Sequence, residues 1–309
     1  MDTGSLPSQN PLPTRVPWAA VTVYAALACA LAWLAVLPLW LGDGLESPLF
    51  LLLLPVMMYT PAIAALFVVF VMVRPTRRAR YLGLVPFRPV GRKIALFLLW
   101  PAFWLVTGFG AFLLAVWFGW TTPDWSLSAI SSMLPPGAST EVYLGISFAA
   151  LPLNTIIATL AAFGEELGWR GFLTTALAPL GFWPTALITG VLWGVWHAPI
   201  IMLGYNYLRP DWTGVAWMCG FTLFVGVLLQ WSRYWTGNVW PAAVGHGALN
   251  AATPLTLLWI TPDADPAVAT ALGVPGWIAM GIAILLLFTA GVLGRRGARL
   301  TAGPEARRS

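Results

Sequence analysis

The chain has 309 residues, of which 59% are hydrophobic and 9% are charged. A soluble domain normally carries about 25% charged residues, so this composition excludes a soluble globular protein and predicts an integral membrane protein. The formal net charge of +5 could suit a nucleic-acid partner, but the basic residues lie in loops beside apolar runs. We therefore expect the lipid bilayer, and no nucleic acid, as the partner of these charges.

Eight apolar runs follow one another along the chain, and a run of about 20 such residues crosses a ~30 Å hydrocarbon core as one helix. The predicted spans are Pro17–Leu41, Pro48–Val73, Ile94–Trp120, Tyr143–Leu180, Trp183–Leu203, Gly214–Trp231, Val239–Ile260 and Pro275–Leu293. The fourth run is too long for one crossing, so its far end should leave the membrane. The predicted fold is all-α: a polytopic membrane bundle of about eight transmembrane helices.

The whole chain, residues 1–309, is predicted to form a single integral membrane domain. The first three predicted spans are uniformly apolar, and residues 17–120 and 275–293 are expected to supply scaffold helices. Residues 143–254 hold polar groups among apolar ones and are expected to carry the chemistry. Residues 295–309 form a basic tail.

Basic and acidic residues fall in alternate predicted loops. The loop after the second span carries Arg74, Arg77, Arg78, Arg80, Arg88, Arg92 and Lys93, and the tail carries Arg295, Arg296, Arg299, Arg307 and Arg308. The intervening loops carry Asp43, Glu46, Asp124, Glu141, Asp263 and Asp265, with Arg209 as their only basic residue. Excess Lys and Arg marks cytoplasmic loops. Both termini are therefore predicted to lie in the cytoplasm, on the inner side of the plasma membrane, which agrees with an even number of spans.

The charged side chains and imidazoles at membrane depth fall in three of the apolar runs. Both histidines of the chain, His197 and His246, lie there, together with Asn250 and the segment Glu165-Glu166-Leu167-Gly168-Trp169-Arg170. Charged groups in hydrocarbon cost about 2.5–3.5 kcal/mol each on insertion scales, and they usually mark function. The sequence thus predicts a functional site made of two carboxylates, two imidazoles, a guanidinium and an amide.

Helix periodicity separates the two glutamates and aligns the histidines with them. Glu166 and Arg170 are four residues apart, so we expect an ion pair, whereas Glu165 points about 100° away and can face a cavity. Gly181, in the predicted turn, is 16 residues from both Glu165 and His197. If both helices are straight, each group stands about 24 Å from the turn. A purely structural cluster of Glu165, Glu166 and Arg170 is the alternative.

The seventh predicted span adds two hydrogen-bonding groups. His246 lies about 10 Å deep from the same side, so it is expected to meet Glu165 and His197 at a shallow cytoplasmic depth. Because Asn250 is one helical turn further, both side chains could stabilise an oxyanion, although interhelical hydrogen bonding is an equally simple role. Trp193, four residues before His197, should pack against its imidazole as ordinary core.

The inventory of motifs narrows the chemistry. The sequence contains neither H-E-x-x-H nor G-x-S-x-G, and its aspartates lie in loops or at the N-terminus. What remains is a Glu/His pair that activates water, and no cofactor is favoured. Zinc on Glu165, His197 and His246 is possible. Against zinc, the histidines lie on different helices, and Glu166 would have to act as base although Arg170 is expected to engage it.

These motifs resemble the CPBP family, which groups CaaX prenyl proteases with bacteriocin-processing enzymes. Its pattern E-E-x-x-x-R, F-x-x-x-H and H-x-x-x-N/D reads here as Glu165-Glu166 with Arg170, Trp193 with His197, and His246 with Asn250. The resemblance covers roughly Tyr143 to Pro254, and it departs from the pattern at Trp193, where Phe is usual. It implies an eight-span bundle with a cavity open to the cytoplasm. It also implies endopeptidase chemistry by the first glutamate and first histidine, with the last histidine and asparagine as oxyanion donors.

The leading hypothesis is therefore an intramembrane endopeptidase of CaaX-protease type that acts on a peptide or lipidated protein. A non-catalytic membrane immunity or scaffold protein is one alternative, but it predicts lost motif residues and none is lost. A proton-coupled transporter is another, but it predicts an inverted repeat, and the sequence shows none.

Overall fold

The computed structural model describes residues 13–88 and 90–293, and it is helical throughout. The predicted basic tail, 295–309, lies outside the described residues. The described residues form no β-strand, and only Pro123 and Ile260 make an isolated antiparallel bridge. The α-helices are α1 (Trp18–Leu41), α2 (Phe50–Met58), α3 (Thr60–Phe67), α4 (Arg78–Tyr81), α5 (Val90–Trp117), α6 (Ser128–Met133), α7 (Thr140–Ala149), α8 (Leu151–Glu166), α9 (Thr174–Leu177), α10 (Phe182–Trp196), α11 (Ala198–Ile201), α12 (Trp212–Thr236), α13 (Trp240–Thr256), α14 (Pro266–Ala269) and α15 (Val274–Thr289).

Five helical stretches of the described chain are long and apolar enough to cross a membrane: Trp18–Leu41, Phe50–Val73, Val90–Trp117, Trp212–Thr236 and Pro266–Thr289. A sixth is reached if α7 and the stretch Leu151–Leu180, which are bent by 53° relative to each other, count as one broken span. The prediction of an all-α polytopic membrane bundle is confirmed.

By length and composition, the described residues hold five or six candidate membrane spans, fewer than the predicted number of about eight. Each of the eight apolar runs contains a helix, but two of these helices are short. Helix α10 has 15 residues and α13 has 17, which correspond to about 22 and 26 Å at 1.5 Å per residue. Both fall short of a ~30 Å hydrocarbon core. The two apolar runs that contain α10 and α13 also include apolar loops and short helices. The runs are therefore longer than the helices themselves.

The helices that carry the polar cluster pack unusually closely, because glycines stand where they cross. A Cβ atom placed on Gly194 of α10 would lie 2.5 Å from the Cα of Cys219 on α12. A Cβ on Gly247 of α13 would lie 2.5 Å from the backbone nitrogen of Thr159 on α8. Such small-residue contacts let membrane helices approach backbone to backbone. Helices α8, α10, α12 and α13 are thereby held together around one interior.

Helix α8 passes into a π-helical segment, Leu167–Leu173, and the chain continues through α9 to Gly181, which has a φ of 88°. The predicted turn at Gly181 is thus confirmed. Helix α12 holds the π-helical segment through Arg233, whose Nε donates to the carbonyl oxygen of Arg170 at 2.9 Å. π-Helical turns are frequent at functional sites, and this one begins directly after the two glutamates.

Candidate active site

A cavity of about 350 Å³ opens between α8, α10, α12 and α13. The polar side chains that line it include Glu165, His197, His246 and Asn250, along with the indole of Trp193. Much of the remaining wall is apolar, formed by residues such as Leu54, Met58, Ile200, Met218, Phe221 and Leu249. A largely apolar pocket with a few convergent polar groups is the usual form of a ligand or active site. The structure therefore brings these five residues to one cavity, whereas Glu166 and Arg170 do not line it.

Glu165 lies at the end of α8 and is 2% exposed. The indole nitrogen of Trp193 donates a hydrogen bond of 2.6 Å to its Oε2. Within residues 13–88 and 90–293 the structure gives the carboxyl no other hydrogen-bond donor. Its second oxygen is therefore left with acceptor capacity on the cavity side, as a group that binds water would need.

Glu166 faces the other way and pairs with Arg170, as the spacing predicted. The nitrogen–oxygen distance is 2.8 Å, and both side chains are fully buried. The same carboxylate oxygen, Oε1, lies 2.9 Å from Nδ1 of His246. This second contact could not be predicted from spacing, because it joins side chains 80 residues apart on different helices. Glu166 thus connects the arginine to the histidine of α13.

His197 follows α10 directly, and its hydrogen bond fixes its tautomer. Its Nδ1 lies 2.8 Å from the carbonyl oxygen of Trp193. A carbonyl oxygen can only accept, so Nδ1 carries the proton, and in the neutral imidazole Nε2 is an acceptor. The ring also packs edge-on against Trp196, with 4.7 Å between ring centroids. His197 is therefore oriented with a free acceptor, since Nδ1 is occupied by the backbone.

Trp193 makes more contacts than the packing role predicted for it. Besides bonding Glu165, its ring lies 4.5 Å from the guanidinium carbon of Arg170 and 5.1 Å from the ring of His246. The expected contact with His197 is present at 6.0 Å between centroids. The sequence contained one signal for this role, since a buried indole N–H usually finds an acceptor and this tryptophan stands where the family pattern has phenylalanine.

Asn250 stands one turn beyond His246 on α13, and its side chain is exposed within the cavity lining. His246 is oriented differently, because its Nδ1 is occupied by Glu166. Only Nε2 of that imidazole can therefore serve the cavity. The two side chains lie on the same face, as their spacing predicted.

A metal centre would need at least three metal-binding side chains close together. In the part of the chain that the structure describes, no three His, Cys, Asp or Glu side chains are grouped so as to hold a metal ion. The zinc set considered from the sequence, Glu165, His197 and His246, is therefore not assembled as a coordination site in this arrangement.

Comparison with known proteins adds a match over the same helices. Residues 147–252 match the family described as type II CAAX prenyl endopeptidase, Rce1-like. The "CAAX prenyl protease 2" of the archaeon Methanococcus maripaludis is 28% identical over 108 residues, which cover 33% of this chain and 39% of the relative. The chain thus spans well under half the length of that relative. The matched segment contains all seven site residues, so this region of the chain is similar to type II CAAX prenyl endopeptidases.

Proposed function

We propose that the protein is an intramembrane endopeptidase of CaaX-protease type. The observation that carries the proposal is the placement of the Glu165 carboxyl and the oriented His197 imidazole on one buried cavity. The family match over residues 147–252 and the name of the archaeal relative support the same reaction class.

In the proposed mechanism, Glu165 is the general base. A water molecule hydrogen-bonds to Glu165 and to Nε2 of His197, and its oxygen attacks the carbonyl carbon of the scissile peptide bond. The carboxylate takes one proton from the water as the new carbon–oxygen bond forms. The C–N bond then breaks as that proton passes to the leaving amine, so that one water is consumed and a carboxylic acid and an amine are produced.

The negative charge that develops on the carbonyl oxygen needs donors on the opposite wall. We assign that role to the amide of Asn250 and to Nε2 of His246. Because Nδ1 of His246 already donates to Glu166, Nε2 can donate only when the imidazole is protonated. Two carboxylates, one guanidinium and one imidazolium then sum to zero charge, which suits a site shielded from water.

The proposed substrate is a peptide segment at the membrane, with or without a prenyl group. The apolar part of the cavity wall, which includes Met218 and Phe221, can accept apolar side chains or a lipid chain. Two synthetic peptides with the same Cys-aliphatic-aliphatic-X ending, one farnesylated and one not, separate the two cases. Cleavage of the farnesylated peptide alone would assign a prenylated substrate.

The mechanism uses no metal, and this is open to a direct test. After exhaustive chelation the purified protein should keep its activity and contain less than one zinc per chain. One zinc per chain, lost together with activity in His246→Ala, would instead establish a metal enzyme. In that case Glu165, His197 and His246 would have to rearrange to reach the ion.

We also propose that the protein resides in the plasma membrane with both termini in the cytoplasm. The support is the basic loop between α3 and α5 and the acidic loops on the opposite side. Reporter fusions at Arg80 and after Arg296 should both give a cytoplasmic signal. A signal from the outer side at either position would overturn the orientation and, with it, a cavity opening to the cytoplasm.

The experiment that tests the function is a comparison of membrane peptides by mass spectrometry. Membranes that contain the wild-type protein should gain cleavage products that are absent with Glu165→Gln. Glu141→Gln is the matched control, because Glu141 is an exposed glutamate on α7 outside the cavity. Identical peptide populations with wild type and Glu165→Gln would contradict the proposed function.

A further inference from the structure

Trp193 contacts Glu165, His197 and Arg170 through three different parts of the residue. Its indole N–H bonds the carboxylate of Glu165, and its backbone carbonyl accepts from Nδ1 of His197. Its ring lies over the guanidinium of Arg170, with 4.5 Å from the guanidinium carbon to the ring centroid. It is 1% exposed. The ring lines the cavity on one side and is held by these contacts on the other, so turning its N–H elsewhere would break the bond to Glu165 and the stacking on Arg170.

The bond to Glu165 is the kind that fixes a carboxylate. At 2.6 Å it is short for an N–H donor, as charge-assisted hydrogen bonds are. It occupies Oε2 and leaves Oε1 for the cavity. A glutamate side chain has three rotatable bonds and can adopt several staggered rotamers, and the structure gives Glu165 no second donor among the described residues. The indole thus decides which way the carboxyl faces.

We propose that Trp193 is a positioning residue, which sets the orientation of Glu165 through the indole N–H and that of His197 through the backbone carbonyl. The proposal rests on the proposed function, because it gives the two groups that would bind the attacking water a common support. The side-chain part is peculiar to tryptophan, since phenylalanine at this place would fill similar space without a donor. The backbone part would survive that substitution.

The test is Trp193→Phe, measured with the internally quenched farnesylated peptide and its unprenylated counterpart. The variant keeps an aromatic ring for Arg170 and keeps the carbonyl for His197, so it removes little besides the N–H and the second ring. We expect kcat to fall roughly tenfold to a hundredfold, as when one hydrogen bond to a charged group is lost. KM should change by less than about twofold, since the indole N–H serves the base and not the peptide.

A pH profile distinguishes positioning from mere packing. A carboxylate that has lost an N–H donor holds its proton more tightly, so the acidic limb of kcat/KM should move to higher pH in Trp193→Phe. Trp104→Phe is the matched control. Trp104 is also fully buried and donates its indole N–H at 2.7 Å, but to the backbone carbonyl of Gly245, and it does not line the cavity. That variant should keep the wild-type limb whatever stability it loses.

Two outcomes would overturn the proposal: wild-type kcat and pH limb in Trp193→Phe, or equal losses in both tryptophan variants with the limb unmoved in each. Glu165→Gln in the same assay keeps the failure of the function apart from the failure of this inference. Cleavage that persists in Glu165→Gln defeats the proposed function. An inactive Glu165→Gln beside an unaltered Trp193→Phe defeats only the role of the tryptophan.

Discussion

The flanking helices are more apolar in sequence than α8, α12 and α13, and the two regions bury different side chains. In α1–α3 and α5 the buried side chains are mostly apolar, and large residues such as Leu51 and Leu98 remain about three-quarters exposed. From α8 to α13 the interior holds Glu165, Glu166, Arg170 and Arg233, each 3% exposed or less. A charge is costly to place in hydrocarbon, and it persists where function requires it. In this bundle, exposed apolar side chains cover the outer surface, whereas buried charged side chains mark the candidate site.

The largest expected effect is the loss of activity when His197 is replaced. Replacing it with alanine removes the oriented acceptor for water, and a general acid–base group contributes typically 10²- to 10⁴-fold to rate. We expect His197→Ala to lower kcat by about that factor without changing the melting temperature greatly. Leu98→Ala in α5 is the flanking control, and it should cleave at the wild-type rate. Equal cleavage rates for His197→Ala and wild type would contradict the difference in function between the central and the flanking helices.

Arg170 should show the next largest effect, this time on stability. Its removal leaves Glu166 buried without its closest cation, and breaking a fully buried ion pair costs on the order of 3–5 kcal/mol. We expect Arg170→Ala to melt well below Glu165→Gln in detergent. Arg78→Ala is the matched control, because Arg78 is an exposed arginine that stacks on Phe70 in the flanking region. Arg170→Ala melting at the same temperature as either variant would deny the pair a structural role.

Much of this arrangement follows from spacing, and the rest depends on contacts that spacing does not contain. The pair of Glu166 and Arg170 and the turn at Gly181 were predictable, because both are local. The bond from Trp193 to Glu165 and that from His246 to Glu166 were not, because they depend on how separate helices are rotated against each other. The π-helical segment was also missed, since nothing in the residues 167–173 alone distinguishes it from an α-helix. The candidate site is formed by these contacts between side chains on separate helices.

The exposed ion pair of Arg209 with Asp265 should show the smallest effect. The two side chains lie 2.6 Å apart and are 30% and 41% exposed. The hydrogen bond from Arg209 lowers the pKa of Asp265. A carboxyl with a depressed folded pKa stabilises the fold above its unfolded value of about 3.9, and that stability is lost as pH falls through the lower folded pKa.

We therefore expect Asp265→Asn to cost at most about 1 kcal/mol at pH 7, because solvent screens an exposed pair. The difference from wild type should shrink below about pH 4, where the unfolded carboxyl of the wild type also becomes protonated. Melting curves at several pH values measure it. Asp263→Asn is the control, since Asp263 takes part in none of the ion pairs between described residues. A loss that grows as pH falls would have the wrong sign for this pair.

Direct activation of water by Glu165 can be measured in a single turnover in H₂¹⁸O. With excess purified enzyme over the farnesylated peptide, direct attack by water should place one ¹⁸O in the new carboxyl group of the product. It should place none in the enzyme peptide that contains Glu165, and no product should form with Glu165→Gln. Label found in Glu165 would show a covalent acyl intermediate on the carboxyl, and wild-type turnover by Glu165→Gln would remove the residue from the chemistry altogether.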